Sequence, residues 1–305
     1  MKCLRDAYGD TLVKIGSDKR IVVLDADLSK STKTCKFAEK FPERFFNFGV
    51  SEQDMMGTAA GFACCGKIPF VSTFAIFATG RAWEQVRNTI AYSNLNVRIV
   101  ATHAGISVGE DGVSHQCIED IALMRAISNM KLIVPADAVE TEKAIIASLS
   151  ENGPFYIRLP RSKVPVLFDD DYDFRLYSAE KMKDGSDVSI LACGVMVSEA
   201  MKAAEELKKE NIDAEVINIH TIKPIDAGAV IKSANKTGGV VTCEDHSITG
   251  GLGSAVAEIL SEKPVTMKRI GLNAFCESGP YKDLIKKYGL DADNIAKVTK
   301  SLVRK

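Results

Sequence analysis

Strands alternating with helices predict an α/β protein of two domains, each built on a mainly parallel sheet with helices on both faces. Three observations carry this expectation. Apolar, β-branched runs recur roughly every 25 residues in the first half of the chain, helical patterns separate them, and after a break the same alternation resumes.

The first domain, residues 1–165, contains the runs "IVVLDAD" (21–27), "FFNFGV" (45–50), "IPFVSTF" (68–74), "VRIVATH" (97–103), "KLIVPAD" (131–137) and "FYIRLPR" (155–161). Each is short and apolar, as a parallel strand covered on both faces must be. Over 166–187 the chain lapses into "VLFDDDYDFRLYSAEKMKDGSD", acidic and without a sustained period, which reads as a linker. The second domain, 188–305, resumes with "VSILACG" (188–194), "AEVINIH" (214–220), "GVVTCED" (239–245) and "TMKRIGL" (266–272). Between the first two of these lies the amphipathic "SEAMKAAEELKKEN", a helix by its spacing.

The chain has 305 residues, 39 basic and 40 acidic, for a formal net charge of -1. Such a balance offers no global field for nucleic acid or anionic lipid, so charge chemistry has to be local. No apolar run reaches the roughly 18 residues of a membrane span, and "MKCLRDAYGD" has no secretory pattern. A cytoplasmic protein is expected. The eight cysteines lack C-x-x-C spacing and are expected to be mostly buried, reduced and apolar.

In an open parallel sheet the ligand crevice lies beyond the carboxyl ends of the strands. In the first domain those ends carry Asp27, Glu52 just after its strand, Ser72, Phe74, His103, Asp137 and Arg161, with Phe77 close behind Phe74. The connection "THAGISVGEDGVSHQ" (102–116) is long and polar and holds His103, Glu110, Asp111 and His115, two of the four histidines of the chain. Singly these residues have plain explanations: Glu52 and Asp54 follow Ser51 as helix-start acids, the phenylalanines fill a core, and the arginines pair with surface acids. Together they fall on one edge of one sheet, which is the candidate site.

At these residues the chain resembles the carboxyl-terminal half of transketolase, a thiamine-diphosphate enzyme, over essentially its whole length. "GVSEQDMMGTAAGFA" is similar to the family's G-x-x-E-x-x-M helix, "STFAIF" to its aromatic strand end, and "GEDGVSHQ" to its substrate loop. "LPRSKVP" resembles the turn closing the pyrimidine-binding domain, and "INIHTIKPID" the transketolase C-terminal domain. The resemblance implies that Glu52 hydrogen-bonds N1′ of the cofactor aminopyrimidine and so promotes deprotonation of the thiazolium carbon. That job calls for a carboxyl group shielded from water. Phe74 and Phe77 would flank the pyrimidine, with Asp27 near the cofactor. Asp111 would read a donor hydroxyl and His115 would sit by the reacting carbons. Arg5, Ser31, His103 and Arg161 would hold the sugar phosphate. Gly80 replaces an aromatic often found there, and His103-Ala104-Gly105 replaces the family's H-D-S.

No G-D-G, the family's diphosphate and metal motif, occurs in the sequence. Because the chain opens directly on the pyrimidine-binding segment, it is expected to be one subunit of a split transketolase. A separate amino-terminal subunit would hold the diphosphate with Mg2+ or Ca2+, and self-association would give a heterotetramer. The expected activity is transfer of a two-carbon ketol unit between sugar phosphates, in pentose phosphate metabolism. Gly57, Ala60, Gly61 and Cys64 form a small-residue face suited to close packing, within the domain or across an interface. Glu244-Asp245-His246 and "TGGLGS" in the second domain are assigned to architecture. The rival readings are a 2-oxo acid dehydrogenase beta subunit, a deoxyxylulose-phosphate synthase-like enzyme and a non-catalytic transketolase-like binding or regulatory protein.

Overall fold

The computed structural model describes residues 1–303 and contains two α/β domains with mostly parallel sheets. In spatial order the larger sheet runs Thr221–Lys223, Lys131–Ile133, Phe155–Arg158, Arg98–Thr102, Ile68–Phe74, Ile21–Asp25 and Phe45–Asn47, parallel except for the first strand. The central strands Ile21–Asp25, Ile68–Phe74 and Arg98–Thr102 are buried at every position, because helices cover both faces. The edge strand Phe45–Asn47 is only partly covered.

The second sheet runs Thr266–Leu272, Gly239–Ser247, Val188–Ala192, Ala214–Asn218 and Glu180–Lys183, again parallel except for its last strand. All ten expected runs contain a strand, most of them ending a residue or more short of the apolar pattern. Four short strands fell outside the expected runs, and two of them extend the main sheets. Glu180–Lys183, within the stretch read as a linker, pairs with Ala214–Asn218 and closes an edge of the second sheet. Thr221–Lys223, from beyond the linker, pairs with Lys131–Ile133 and extends the first sheet. Both are short and antiparallel, so the spacing of parallel strands gives no sign of them.

Strand order reverses between Ile21–Asp25 and Ile68–Phe74: the chain runs outward to Phe45–Asn47, then returns to the other side. Beyond the carboxyl ends of two such strands the flanking connections diverge and leave a crevice. The amino terminus is clipped nearby, with Lys2–Cys3 pairing antiparallel to Lys163–Val164. That ladder carries Arg5 toward Arg161.

Candidate active site

Glu52 arises from a local turn and a helix start. After Phe45–Asn47 the chain turns at Gly49, whose φ of +63° glycine adopts without a Cβ penalty, and enters the helix Glu52–Cys64. The Asn47 side chain fixes the turn. Its Oδ1 accepts from the Gly49 and Asp27 amides (3.0 and 3.1 Å), and its Nδ2 donates to Asp27 Oδ1 (3.2 Å). Ser51 makes no side-chain cap, so the capping expectation fails there, and Glu52 turns inward instead. Glu52 is 1% exposed, and Arg81 Nη1 donates to both of its carboxylate oxygens, at 2.9 and 2.8 Å.

Rings line the adjacent wall. Phe74 and Phe77 lie 5.9 Å apart and nearly parallel, at 11°. His103 stacks on Phe74, and His115 meets Phe77 edge-on at 5.7 Å. The Arg81 guanidinium lies over the Phe77 ring, 4.5 Å from its centroid. Thus a planar, nitrogen-bearing group already rests on an aromatic face while donating to the buried carboxylate. An aminopyrimidine needs that same pair of contacts, so these residues fit thiamine diphosphate at its pyrimidine end.

Cationic groups gather behind the histidine. Arg5 donates to the carbonyls of Ser31 (2.6 Å) and Arg161 (3.2 Å), and its buried Nε has no partner. It is the Ser31 carbonyl, not the hydroxyl, that meets Arg5. Arg161 donates to the Val108 carbonyl (2.5 Å) and to Glu110 (3.0 Å). His103 is buried, with φ +59° and Nδ1 paired to the Thr102 hydroxyl (2.9 Å). Burial first, then Arg5, Arg161 and His115, push its imidazole down from 6.5 to about 3. It is therefore neutral at working pH, and any anion charge has to be met by the arginines.

Asp27 is exposed, with φ +63°, and is tied to Asn47. Asp111 is exposed at the end of the irregular segment Ile106–Asp111. Asp137 leaves the candidate set. It caps the helix Ala138–Ser148 through the Glu140 amide (2.8 Å) and accepts the Leu167 and Phe168 amides. Arg158 pairs not with a surface acid but with buried Asp120, at 2.8 Å.

The second-domain motif resolves into separate duties. Glu244 accepts the Leu252 and Gly253 amides (2.7 and 2.8 Å), so the helix start in "TGGLGS" is already occupied by a carboxylate of the same chain. His246 accepts the Ala122 amide at Nε2 (3.3 Å) and is paired with the Ser247 carbonyl at Nδ1 (2.7 Å). Sequence reasoning missed Arg81, whose signal was only its place one turn after Phe77. The small-residue face divides: Ala60 is buried in the domain's own core, whereas a Cβ on Gly57 or Gly61 would meet nothing within 4 Å, and Cys64 is exposed.

The family profile "Transketolase, pyrimidine binding domain" matches residues 2–166, and "Transketolase, C-terminal domain" matches 178–295. A protein of Methanocaldococcus jannaschii named "Putative transketolase C-terminal section" is 50% identical over 302 residues, covering 97% of this chain and 95% of that protein. A 6-deoxy-6-sulfo-D-fructose transketolase subunit of Clostridium sp. (strain MSTE9) is 43% identical over 297 residues, covering 96% and 92%. Among solved structures, "Split gene transketolase, inactive beta4 tetramer" superposes with a TM-score of 0.91 at 49% identity, covering 99% of this chain and 98% of that one.

Proposed function

The chain belongs to the transketolase family, and we propose that it serves as the carboxyl-terminal subunit of a split, thiamine-diphosphate-dependent transketolase. In this reading it transfers a two-carbon ketol unit from a ketose phosphate to an aldose phosphate, together with a separate subunit that holds the diphosphate and its divalent metal. The observation that carries the reading is the buried Glu52 beside the Phe74–Phe77 wall at the switch point of the sheet, with His103 and His115 against the same rings. The two-chain form is supported by relatives that this chain covers nearly end to end and that are named a section, a subunit and a split-gene product.

Each residue has a task that its setting suits. Glu52 would share a proton with the ring nitrogen of the cofactor and shield it from water, in the place where Arg81, 46% exposed, now donates. Phe74 and Phe77 set the plane of the ring. Once bound, thiamine diphosphate supplies the carbon nucleophile and the electron sink for C–C cleavage. Asp111 and His115 face the ketose hydroxyls, with His115 as the group that moves a proton at the reacting oxygen. Arg5 and Arg161 meet the sugar phosphate, and neutral His103 adds a directional hydrogen bond without charge. The Arg161–Glu110 pair is exposed and weak, so a phosphate displaces it at small cost.

The open Gly57–Gly61 face suits an approaching helix of the partner subunit, and self-association would complete a heterotetramer. The test is reconstitution. The chain alone should be inactive, and mixing it with the diphosphate-binding subunit, thiamine diphosphate and Mg2+ should give ketol transfer. Activity with 2-oxo acids only, or full activity of the isolated chain, would overturn the reading.

A further inference from the structure

The connection 102–116 carries His103, Asp111 and His115, yet the second domain holds it from behind. Asp245, at the end of the strand Gly239–Ser247, is 2% exposed, and its Oδ1 accepts the Ile106 amide at 3.0 Å. Its main-chain carbonyl accepts from Arg158 (2.8 Å), which is itself anchored on Asp120. Gly105 lies so close that a Cβ there would stand 2.1 Å from Asp245 Oδ2. Only glycine allows this approach, and Gly105 also has a φ of +68°.

The contact continues along the loop. Ser278 Oγ donates to the Glu110 carbonyl (2.5 Å), the Gly279 amide to the Gly109 carbonyl (3.5 Å), Gln116 Nε2 to the Glu277 carbonyl (3.1 Å), and the Ser247 amide to the Ile118 carbonyl (2.8 Å). All of these second-domain groups come from two short stretches, 245–247 and 277–279. The loop needs such support. Gly105, Gly109 and Gly112 all have positive φ, and Gly109 interrupts the one helical segment, so no regular hydrogen-bond ladder fixes its shape.

We propose that the second domain is the clamp that shapes the sugar-binding loop, and that Asp245 is a positioning residue for ketose recognition, acting through Ile106 and Gly105 on His103 and His115. The proposal rests on the transketolase reading above for the identity of the sugar. It assigns a substrate-directed role to a domain whose motif otherwise reads as architecture. Asp245 touches no substrate; it sets where the loop histidines stand.

The test uses the full chain, alone and reconstituted with its partner subunit. For Asp245→Ala, hydrogen exchange across 103–118 should accelerate, and KM for the ketose phosphate should rise about tenfold or more. Affinity for thiamine diphosphate should stay within about twofold, because its ring contacts lie on other elements. Asp245→Asn keeps an acceptor for the Ile106 amide and should restore most of the loss. Ser278→Ala, at an exposed position, should shift loop exchange and KM in the same direction by less. If Asp245→Ala does not fold, Ser278→Ala decides: loop exchange and KM above the parental values support the clamp, and parental values of both overturn it. Folded Asp245→Ala and Ser278→Ala proteins with parental loop exchange and parental KM would overturn it. If the parental complex shows no ketol transfer, the functional reading falls, while loop exchange in the variants still judges the clamp.

Discussion

Arg81 donates from a single guanidinium nitrogen to both carboxylate oxygens of Glu52, and the same guanidinium lies over the Phe77 ring. A buried acid at a helix start would otherwise lack a cationic partner, and leaving a buried acceptor without one is costly. Arg81 meets that need from the solvent side, with its own side chain 46% exposed.

Glu52→Gln keeps an amide oxygen for Arg81 but cannot share a proton with a ring nitrogen. Turnover of the reconstituted enzyme should fall by about a hundredfold or more. The thermal midpoint should stay within a few degrees of the parent. Unchanged turnover would return Glu52 to a helix-end role.

Arg81→Met removes the partner of a carboxylate that is 1% exposed. Urea unfolding of the isolated chain should show a stability loss of about 1–3 kcal/mol. In the Glu52→Gln background the same substitution should cost less, because no charge is then stranded. Equal losses in the two backgrounds would dissolve the coupling.

His103 titrates at about 3 in the folded chain, below its ordinary 6.5. A depressed imidazole contributes stability that is fully present above the unfolded value and is lost as pH falls from about 6.5 toward about 3. Its ring resonances should therefore be flat between about pH 5 and 8. His103→Gln should lessen the acid sensitivity of unfolding in that lower window. A midpoint near 6.5 in the NMR titration would contradict this.

Glu140 is fully buried, and desolvation pushes its carboxyl up from 4.5 to about 8, against hydrogen bonds from the Ala136 amide (2.7 Å) and Asn218 (2.9 and 3.1 Å). Here the sign reverses. The contribution is fully present below the unfolded value and is lost as pH rises through about 8, where the buried group must ionise. Glu140→Gln should flatten stability across that range. Because Asn218 belongs to the second sheet, the loss at high pH should report on the contact between the domains.

Gly57 and Gly61 leave open space where a side chain would point. Alanine at either position should stabilise the isolated chain by about 0.5–1 kcal/mol through helix propensity. Leucine at Gly57 should leave the isolated chain folded and weaken its association with the partner subunit, read by sedimentation. Unimpaired association would move the interface elsewhere.

Much of this protein is written in short-range patterns. A parallel strand covered on both faces must be a short apolar run, so all ten predicted runs were legible, and polar residues at their carboxyl ends marked one edge of one sheet. Glu52, Phe74, Phe77, His103 and His115 could be named because each sits at such an end or in the long loop beyond it. Tertiary structure alone decided who meets whom. Arg81 reaches Glu52 across 29 residues and Asp245 reaches Ile106 across 139, separations at which no periodicity constrains the pairing. The antiparallel edge strand Thr221–Lys223 was likewise invisible, being only three residues long and paired to another domain. Local sequence sets which face of an element is apolar. Which side chains complete a buried charge or shape a glycine-rich loop depends on how those faces close.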